Sequence, residues 1–483
     1  MLPTRLAATF QFAITLTCGS AAWAAPAPQS TPPVLPGLQA PPGGAAAPRR
    51  APAEGEAARG EATPLPTPSS AAQKLYAAAK ADLLQVRSLL KSGRTQSSVG
   101  SGFLVGTSNL VLTNYHVVSQ FALDPETYTG EWVDTAGQRG NIELLAVDVL
   151  HDLAVVRVNR YGTGFFKVPE DAVRLTQGQY LYSLGNPLDL GFAISEGAYN
   201  GVISRSFYDQ LMFTGPINSG MSGGPSVTAD GEVAGVNVAK RLDGELVSFL
   251  VPISYAQRLL KQVADKVGKV DGKPAAAPKD FTAIVTQQLL MHQKAMVDQL
   301  LAGPLTKKPM GPYEVPVRES EQMRCWGNSS AQPASRSEKP FAVDTTSCAM
   351  ESSVFVSGSL QTGAIGIRHQ FLRSTGLDAI RFAQLSSSSF KNESFGSYKD
   401  SRMTGPQCTE QFVTNGSLPM RAVLCVRAYR KFAGLYDFSL LTASTDDGMM
   451  NLQSRLDARG VSYDNGMRTA RAFLEALARR GAK

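Results

Sequence analysis

Gly220-Met221-Ser222-Gly223-Gly224-Pro225 is the stretch on which the reading of this chain turns. A serine hydroxyl is a weak nucleophile at neutral pH and needs a neighbouring base. The glycines around Ser222 let the backbone turn sharply, so that amides can point at a developing oxyanion. The candidate donors are the N–H groups of Gly220 and Ser222, with Met221 as a third. Towards the N-terminus, an acid precedes an apolar run in His151-Asp152-Leu153-Ala154-Val155-Val156. A histidine follows another in Thr113-Asn114-Tyr115-His116-Val117-Val118. The order is His, Asp, Ser. In such a set His116 takes the serine proton and returns it to the leaving amine. Asp152 fixes the imidazole tautomer and stabilises the imidazolium. His151 falls on the opposite side of an extended segment from Asp152 and reads as structural or surface. His292 and His369 lie outside these motifs and read as ordinary.

The texture around these residues is that of β structure. Short β-branched runs at 102–105, 110–113, 142–148, 154–158, 181–184, 201–204, 232–239 and 246–251 are separated by Gly, Asn and Asp. This spacing predicts an antiparallel barrel or sandwich rather than βαβ units. Leu75 to Leu84 reads as a short helix, or Leu84, Val86 and Leu90 as a first strand. Ser254 is a candidate N-cap for a helix to Val267, with Leu259, Leu260 and Val263 on one face. The block 75–267 is a domain length.

Residues 25–74 are rich in Pro, Ala and Gly. Such a segment cannot offset its ordering entropy by burial, so a disordered spacer is expected. Before it, Arg5 precedes the mostly apolar stretch Leu6 to Ala22, and Ala22-Trp23-Ala24 offers small residues where cleavage requires them. A signal peptide over 1–24, and hence export, is predicted. Thr17 before Cys18 speaks against lipidation.

Residues 268–279, with Pro274 and Pro278, read as a second linker. An α+β C-terminal domain is expected over 280–483. It opens with a helix from Asp280 to Leu301 carrying Ile284, Leu289, Leu290, Met291, Met296, Leu300 and Leu301 on an apolar side. Strand-like runs follow at 353–356 and 422–428, and two closing helices near 448–459 and 465–479. Loss of Cys18 with the leader leaves Cys325, Cys348, Cys408 and Cys425. An even number in an exported chain reads as two disulfides. Three pairings are open, beside four reduced thiols. The local one, Cys325–Cys348 and Cys408–Cys425, is favoured because its second bond would staple a hairpin turning at Asn415-Gly416. No CxxC spacing occurs, so no metal site is expected.

The chain has 483 residues, room for two to three folded units at about 150 residues each. With 43% apolar and 18% charged residues it is neither a coiled coil nor a highly charged disordered chain. Its 47 basic residues exceed its 40 acidic ones by only +7, without the concentrated patch of a nucleic-acid binder. Beyond the N-terminus no apolar run is long enough for a membrane span.

Together these segments resemble the trypsin-like serine proteases, and within them the HtrA/Deg group, over about 99–262. Gly100-Ser101-Gly102-Phe103 looks like the strand before that group's histidine, and 113–118 and 152–155 resemble its histidine and aspartate motifs. Gly185-Asn186-Pro187 and Leu188 to Gly191 resemble its activation-loop region. Gly220 to Pro225 matches its GxSGGP loop, and 231–237 and 249–252 look like strands flanking its substrate pocket. The resemblance implies a mainly β catalytic domain with a trypsin-like double β-barrel. It implies endopeptidase action on protein or peptide substrates through His116, Asp152 and Ser222, without a cofactor. It places Asn237, Val238 and Ala239 near a wall of the specificity pocket, where Val238 and Ala239 suit a small aliphatic residue. Two departures stand out. Met221 replaces the group's usual Asn, and nothing after residue 280 looks like a PDZ domain, so trimer formation and chaperone activity are not implied. A different class remains open: an idle protease-like scaffold whose C-terminal domain binds an envelope component or protein partner. Export together with this likeness favours the periplasm over secretion into the medium.

Overall fold

The structure, a computed structural model, describes residues 69–171, 173–203, 206–240, 247–267, 278, 281–330, 339–391, 395 and 400–481. The expected leader, most of the expected spacer and nearly all of the linker 268–279 lie outside these residues. The spacer expected over 25–74 ends earlier: helix α1 (Ser70–Ala79) is already formed, its N-terminus capped by Ser69 Oγ, which accepts from Ala72 N at 3.0 Å.

The first layer comprises β1 (Leu83–Leu90), β2 (Gln96–Leu104), β3 (Leu110–Thr113), helix α2 (Tyr115–Leu123), β4 (Tyr128–Asp134), β5 (Arg139–Asn141), β6 (Glu143–Asp148) and β7 (Leu153–Arg157). Its strands form an antiparallel sheet in the order β5-β4-β1-β2-β3-β7-β6. β1 is buried on both faces, which is why its apolar residues do not alternate and the segment reads ambiguously in sequence. The second layer comprises β8 (Tyr180–Gly185), β9 (Ala193–Ile203), β10 (Gln210–Phe213), β11 (Pro225–Val227), β12 (Val233–Lys240) and β13 (Ser248–Pro252). These strands close into a barrel in the order β10-β13-β12-β11-β8-β9. Of the two barrels the resemblance implies, this one closes; the first layer is a sheet with β5 and β6 at its ends. Helix α3 (Ile253–Val267) follows. It begins one residue before Ser254, which therefore lies in the first turn rather than at the N-cap.

The C-terminal region opens with α4 (Phe281–Leu300), β14 (Thr306–Met310), β15 (Tyr313–Val317), β16 (Met323–Ser329) and β17 (Phe341–Met350). A small hairpin, β18 (Val354–Ser357) and β19 (Leu360–Thr362), precedes β20 (Ala364–Ser374) and α5 (Ala379–Ser389). Then come β21 (Gln407–Asn415), β22 (Leu418–Ala428), β23 (Tyr436–Ser444), β24 (Met450–Val461), α6 (Tyr463–Ala476) and β25 (Ala478–Arg479). One sheet runs β16-β17-β20-β24-β23-β22-β21 and a smaller one β14-β15-β25. The helix expected near 448–459 is strand β24. Leu452 and Leu456 are four apart, a spacing that serves one helical face and equally one face of a strand. Pairing of Leu456 with Ile367 and with Leu440 settles it. Both disulfides tie an end strand of the large sheet to its neighbour: Cys325–Cys348 joins β16 to β17 and Cys408–Cys425 joins β21 to β22. Gly416 and Ser417 make the turn of the second hairpin, with Gly416 at φ 58°.

The apolar side of α4 is shared between two cores. Phe281, Val285 and Leu289 pack with Tyr115, Val117 and Phe121 of α2, and Met296, Val297 and Leu300 pack beneath the C-terminal sheet. Met291, expected on that side, is exposed. Val354, Val356 and Leu360 of the β18–β19 hairpin join α2 in the first of these cores.

Candidate active site

β3 ends at Thr113 and α2 starts at Tyr115, so His116 sits in the first turn of a helix, where backbone N–H groups lack partners within the helix. Asp152, in the turn before β7, supplies them. Its backbone carbonyl accepts from Tyr115 N at 3.1 Å and from Asn114 Nδ2 at 2.7 Å. Its carboxylate accepts from His116 N at 2.8 Å through Oδ1, and lies 2.6 Å from His116 Nδ1 through Oδ2. The anion therefore meets the positive end of the helix dipole. A proton on Nδ1 completes this pair and leaves Nε2 as an acceptor. Burial disfavours the imidazolium, but the charge of Asp152 and its hydrogen bond prevail and raise the His116 pKa above the ordinary 6.5.

Ser222 lies in the loop before β11. Ser101 on β2 anchors this loop: Ser101 N donates to Ser222 O at 2.7 Å and Ser101 Oγ to Gly220 O at 2.7 Å. Gly220 has φ 93°, and a Cβ there would run into the carbonyl of Asn186, so both conformation and space require glycine. Met221 N donates to Asn218 O at 3.0 Å and is committed to the loop. Among the described residues, neither Gly220 N nor Ser222 N donates to a protein acceptor. Two of the three expected oxyanion donors are thus unclaimed, and the third is not. Ser222 Oγ donates to Val238 O at 3.1 Å rather than to His116.

The loop after β8 braces Gly220 from behind. Leu188 N donates to Ser219 O at 2.7 Å, and Leu188 and Asp189 hold φ of 54° and 60°. Asp189 Oδ1 accepts from Gln85 Nε2 at 2.5 Å and pairs with Arg87 at 3.4 Å, a clamp that the motifs did not signal.

Asn237, expected on a pocket wall, is fully buried and serves the loops instead. Its Oδ1 accepts from Ser183 and Ser226, and its Nδ2 donates to Leu184 O and Met221 O. Val238 does reach the site, lining a cavity beside Asp152. The side chain of Ala239 lies outside the described ones.

His151 departs from its expected place. Asp152 has φ 53°, so the segment is not extended and alternation does not separate the two residues. His151 lines the same cavity, stacks on Tyr255 with ring centroids 3.7 Å apart, and bonds Asp148 at 2.6 Å. His292, on α4, lines this cavity too and accepts or donates at 2.9 Å to Tyr208 Oη. His369 is far from it, buried between Pro316 O at 2.6 Å and Ser454 Oγ at 2.8 Å. No local pattern marked Tyr115 or Phe355, yet Tyr115 Oη donates to Val356 O at 2.8 Å and the Phe355 ring stands edge-on to His116 at 6.0 Å. Among the described residues no cluster of three or more His, Cys, Asp or Glu is placed to hold a metal ion.

Residues 100–236 match the family described as trypsin-like peptidase domain. "Probable periplasmic serine endoprotease DegP-like" of Bartonella henselae is 30% identical over 231 residues, covering 46% of this chain and 45% of that protein. "Serine protease HTRA2, mitochondrial" of Drosophila persimilis is 31% identical over 230 residues, covering 44% and 52%. The protein of Brucella suis that bears the same name as the Bartonella one is 30% identical over 175 residues, covering 35% and 33%. The chain thus spans between a third and about half of the length of these curated relatives. Among the described residues no helix is long and apolar enough to cross a membrane.

Proposed function

From its trypsin-like peptidase domain of the HtrA/Deg type, we propose that this chain is an exported serine endopeptidase that hydrolyses peptide bonds in proteins. The observation that carries the reading is the grip of Asp152 on His116, which takes both the backbone N–H and the ring of the histidine. With Nδ1 so engaged, Nε2 removes the Ser222 proton as Oγ attacks the substrate carbonyl. The tetrahedral oxyanion accepts from Gly220 N and Ser222 N, donors that need no rearrangement at the moment of reaction. His116 then protonates the leaving amine, and water releases the acyl group by the same steps in reverse order. The names of the relatives support action on proteins and a place in the periplasm.

One observation favours the idle-scaffold reading: Ser222 Oγ is turned to Val238 O. Catalysis requires the hydroxyl to leave Val238 O for another staggered rotamer facing His116. A fluorophosphonate probe on the mature protein decides between the readings. Labelling of the wild type that is lost in both Ser222→Ala and His116→Ala is expected. A folded wild type that stays unlabelled would sink the active-enzyme reading and leave a latent protease or the scaffold. Export has its own check, since the N-terminus of protein recovered from the periplasmic fraction should be Ala25.

A further inference from the structure

The C-terminal region contributes to the surface around the imidazole. We propose that the β18–β19 hairpin forms one wall of a substrate subsite, with Phe355 as a specificity-determining residue for an apolar side chain flanking the scissile bond. The proposal deepens the endopeptidase reading and rests on it.

The hairpin is fixed to the residue that precedes the catalytic histidine, because the buried bond from Tyr115 Oη to Val356 O ties it to the first turn of α2. Phe355 stands edge-on to both rings of that turn, 6.0 Å from His116 and 6.3 Å from Tyr115. Its position therefore follows that of His116, as a subsite wall must if it is to hold a substrate in register with the base. Between Phe355, Val238 and Asp152 lies a cavity of about 180 Å³. Space of about 150 Å³ is enough to hold benzene, so a branched aliphatic or small aromatic side chain fits. Val238, whose carbonyl receives the Ser222 hydroxyl, lines this space and so connects it to the serine.

Apolar side chains form one part of the cavity's lining. Leu150, Val354, Phe355 and Val238 give it apolar walls. The polar rings that line it bind groups of this chain: His151 holds Asp148, and Tyr208 holds His292. Asp152 is committed to His116. Asp209 stands exposed at the rim, and it makes a basic side chain the competing ligand.

The test is position-scanned peptide cleavage by the mature full chain, comparing wild type with Phe355→Ala and Phe355→Trp. At one position beside the cut, the alanine variant should shift preference towards larger apolar residues by about tenfold in kcat/KM ratio, and the tryptophan variant should shift it the other way. Thermal melts verify folding, and Phe355→Leu replaces Phe355→Ala if the latter does not fold. Unchanged profiles in folded variants, an equal change at every position, or selection of Lys or Arg at that position would overturn the proposal. A wild type that neither labels with the fluorophosphonate nor cleaves the library would bring down the underlying reading instead, and would be seen before any variant was compared.

Discussion

Asp152 occupies the left-handed region at φ 53°, a conformation that Asp tolerates better than most residues but that still carries strain. Four hydrogen bonds to residues 114–116 hold it there, and its carboxylate contributes two of them. Asp152→Asn keeps the carbonyl contacts but cannot accept at both side-chain positions, so the imidazole tautomer is lost. A fall in kcat of about 10⁴-fold is expected, with far-UV circular dichroism unchanged. Because Asp152 raises the His116 pKa and the base must be neutral, the acid limb of kcat/KM should fall above pH 6.5 in the wild type. In Asp152→Asn the limb should move to lower pH. His369 gives the opposite sign. Burial pushes its pKa down to about 4, so folded protein stays unprotonated while unfolded chain takes up a proton from pH 6.5 downward. About 3 kcal/mol of stability should disappear between those two values, read as a falling melting temperature whose slope is reduced in His369→Gln. At this scale the sequence is most legible where side-chain chemistry acts. Ser222, His116 and Asp152 stand out because few residue types suit a nucleophile, a base and an acid that orients it. Val238 serves through a backbone carbonyl and the committed Met221 amide through its N–H, and backbone roles carry no residue-type signal.

Loops and strands show where pattern reading holds and where it breaks. The nucleophile loop was readable from its glycines, and Gly220 shows why: Gly220→Ala would need both a strained φ and displacement of the Asn186 carbonyl. A loss of about 10²-fold or more in kcat with a small change in KM is expected, as for loss of an oxyanion donor. β24 reads as a helix in sequence because its buried leucines satisfy either period, and only its partners on both flanks distinguish them. β21 is an end strand exposed along most of its length, held on one side by β22 and by Cys408–Cys425. Replacing both cysteines with serine should cost about 3 kcal/mol, the order expected for a loop of this length. Amide exchange over 407–415 should accelerate more than over 436–461, and equal acceleration in both would refute a local role for the bond.

Across the whole molecule, α2 is covered by parts of the chain that composition alone assigns to another domain. The described residues from Ser69 onward form one compact unit, and α4 with the β18–β19 hairpin completes the core over α2. Nothing in the sequence signals this. The Pro- and Ala-rich stretch after Val267 reads as a break, and each side of it shows a self-consistent local pattern. A fragment of 69–267 would expose Tyr115, Val117 and Phe121 to water. Such a fragment should aggregate or bind hydrophobic dyes and melt well below the full chain. A monomeric fragment that melts like the full chain would show that the two parts are separable.

Tyr115 and Val356 are 241 residues apart and in contact. Ribosomes build from the N-terminus, so Ser222, His116 and Asp152 all exist before the segment that flanks His116 has been made. A polypeptide interrupted before residue 354, or one nicked and stripped of its later half, carries these three side chains without the surface beside them. Completion of synthesis is in this sense a condition of the finished candidate site, and an unfinished copy carries a different one.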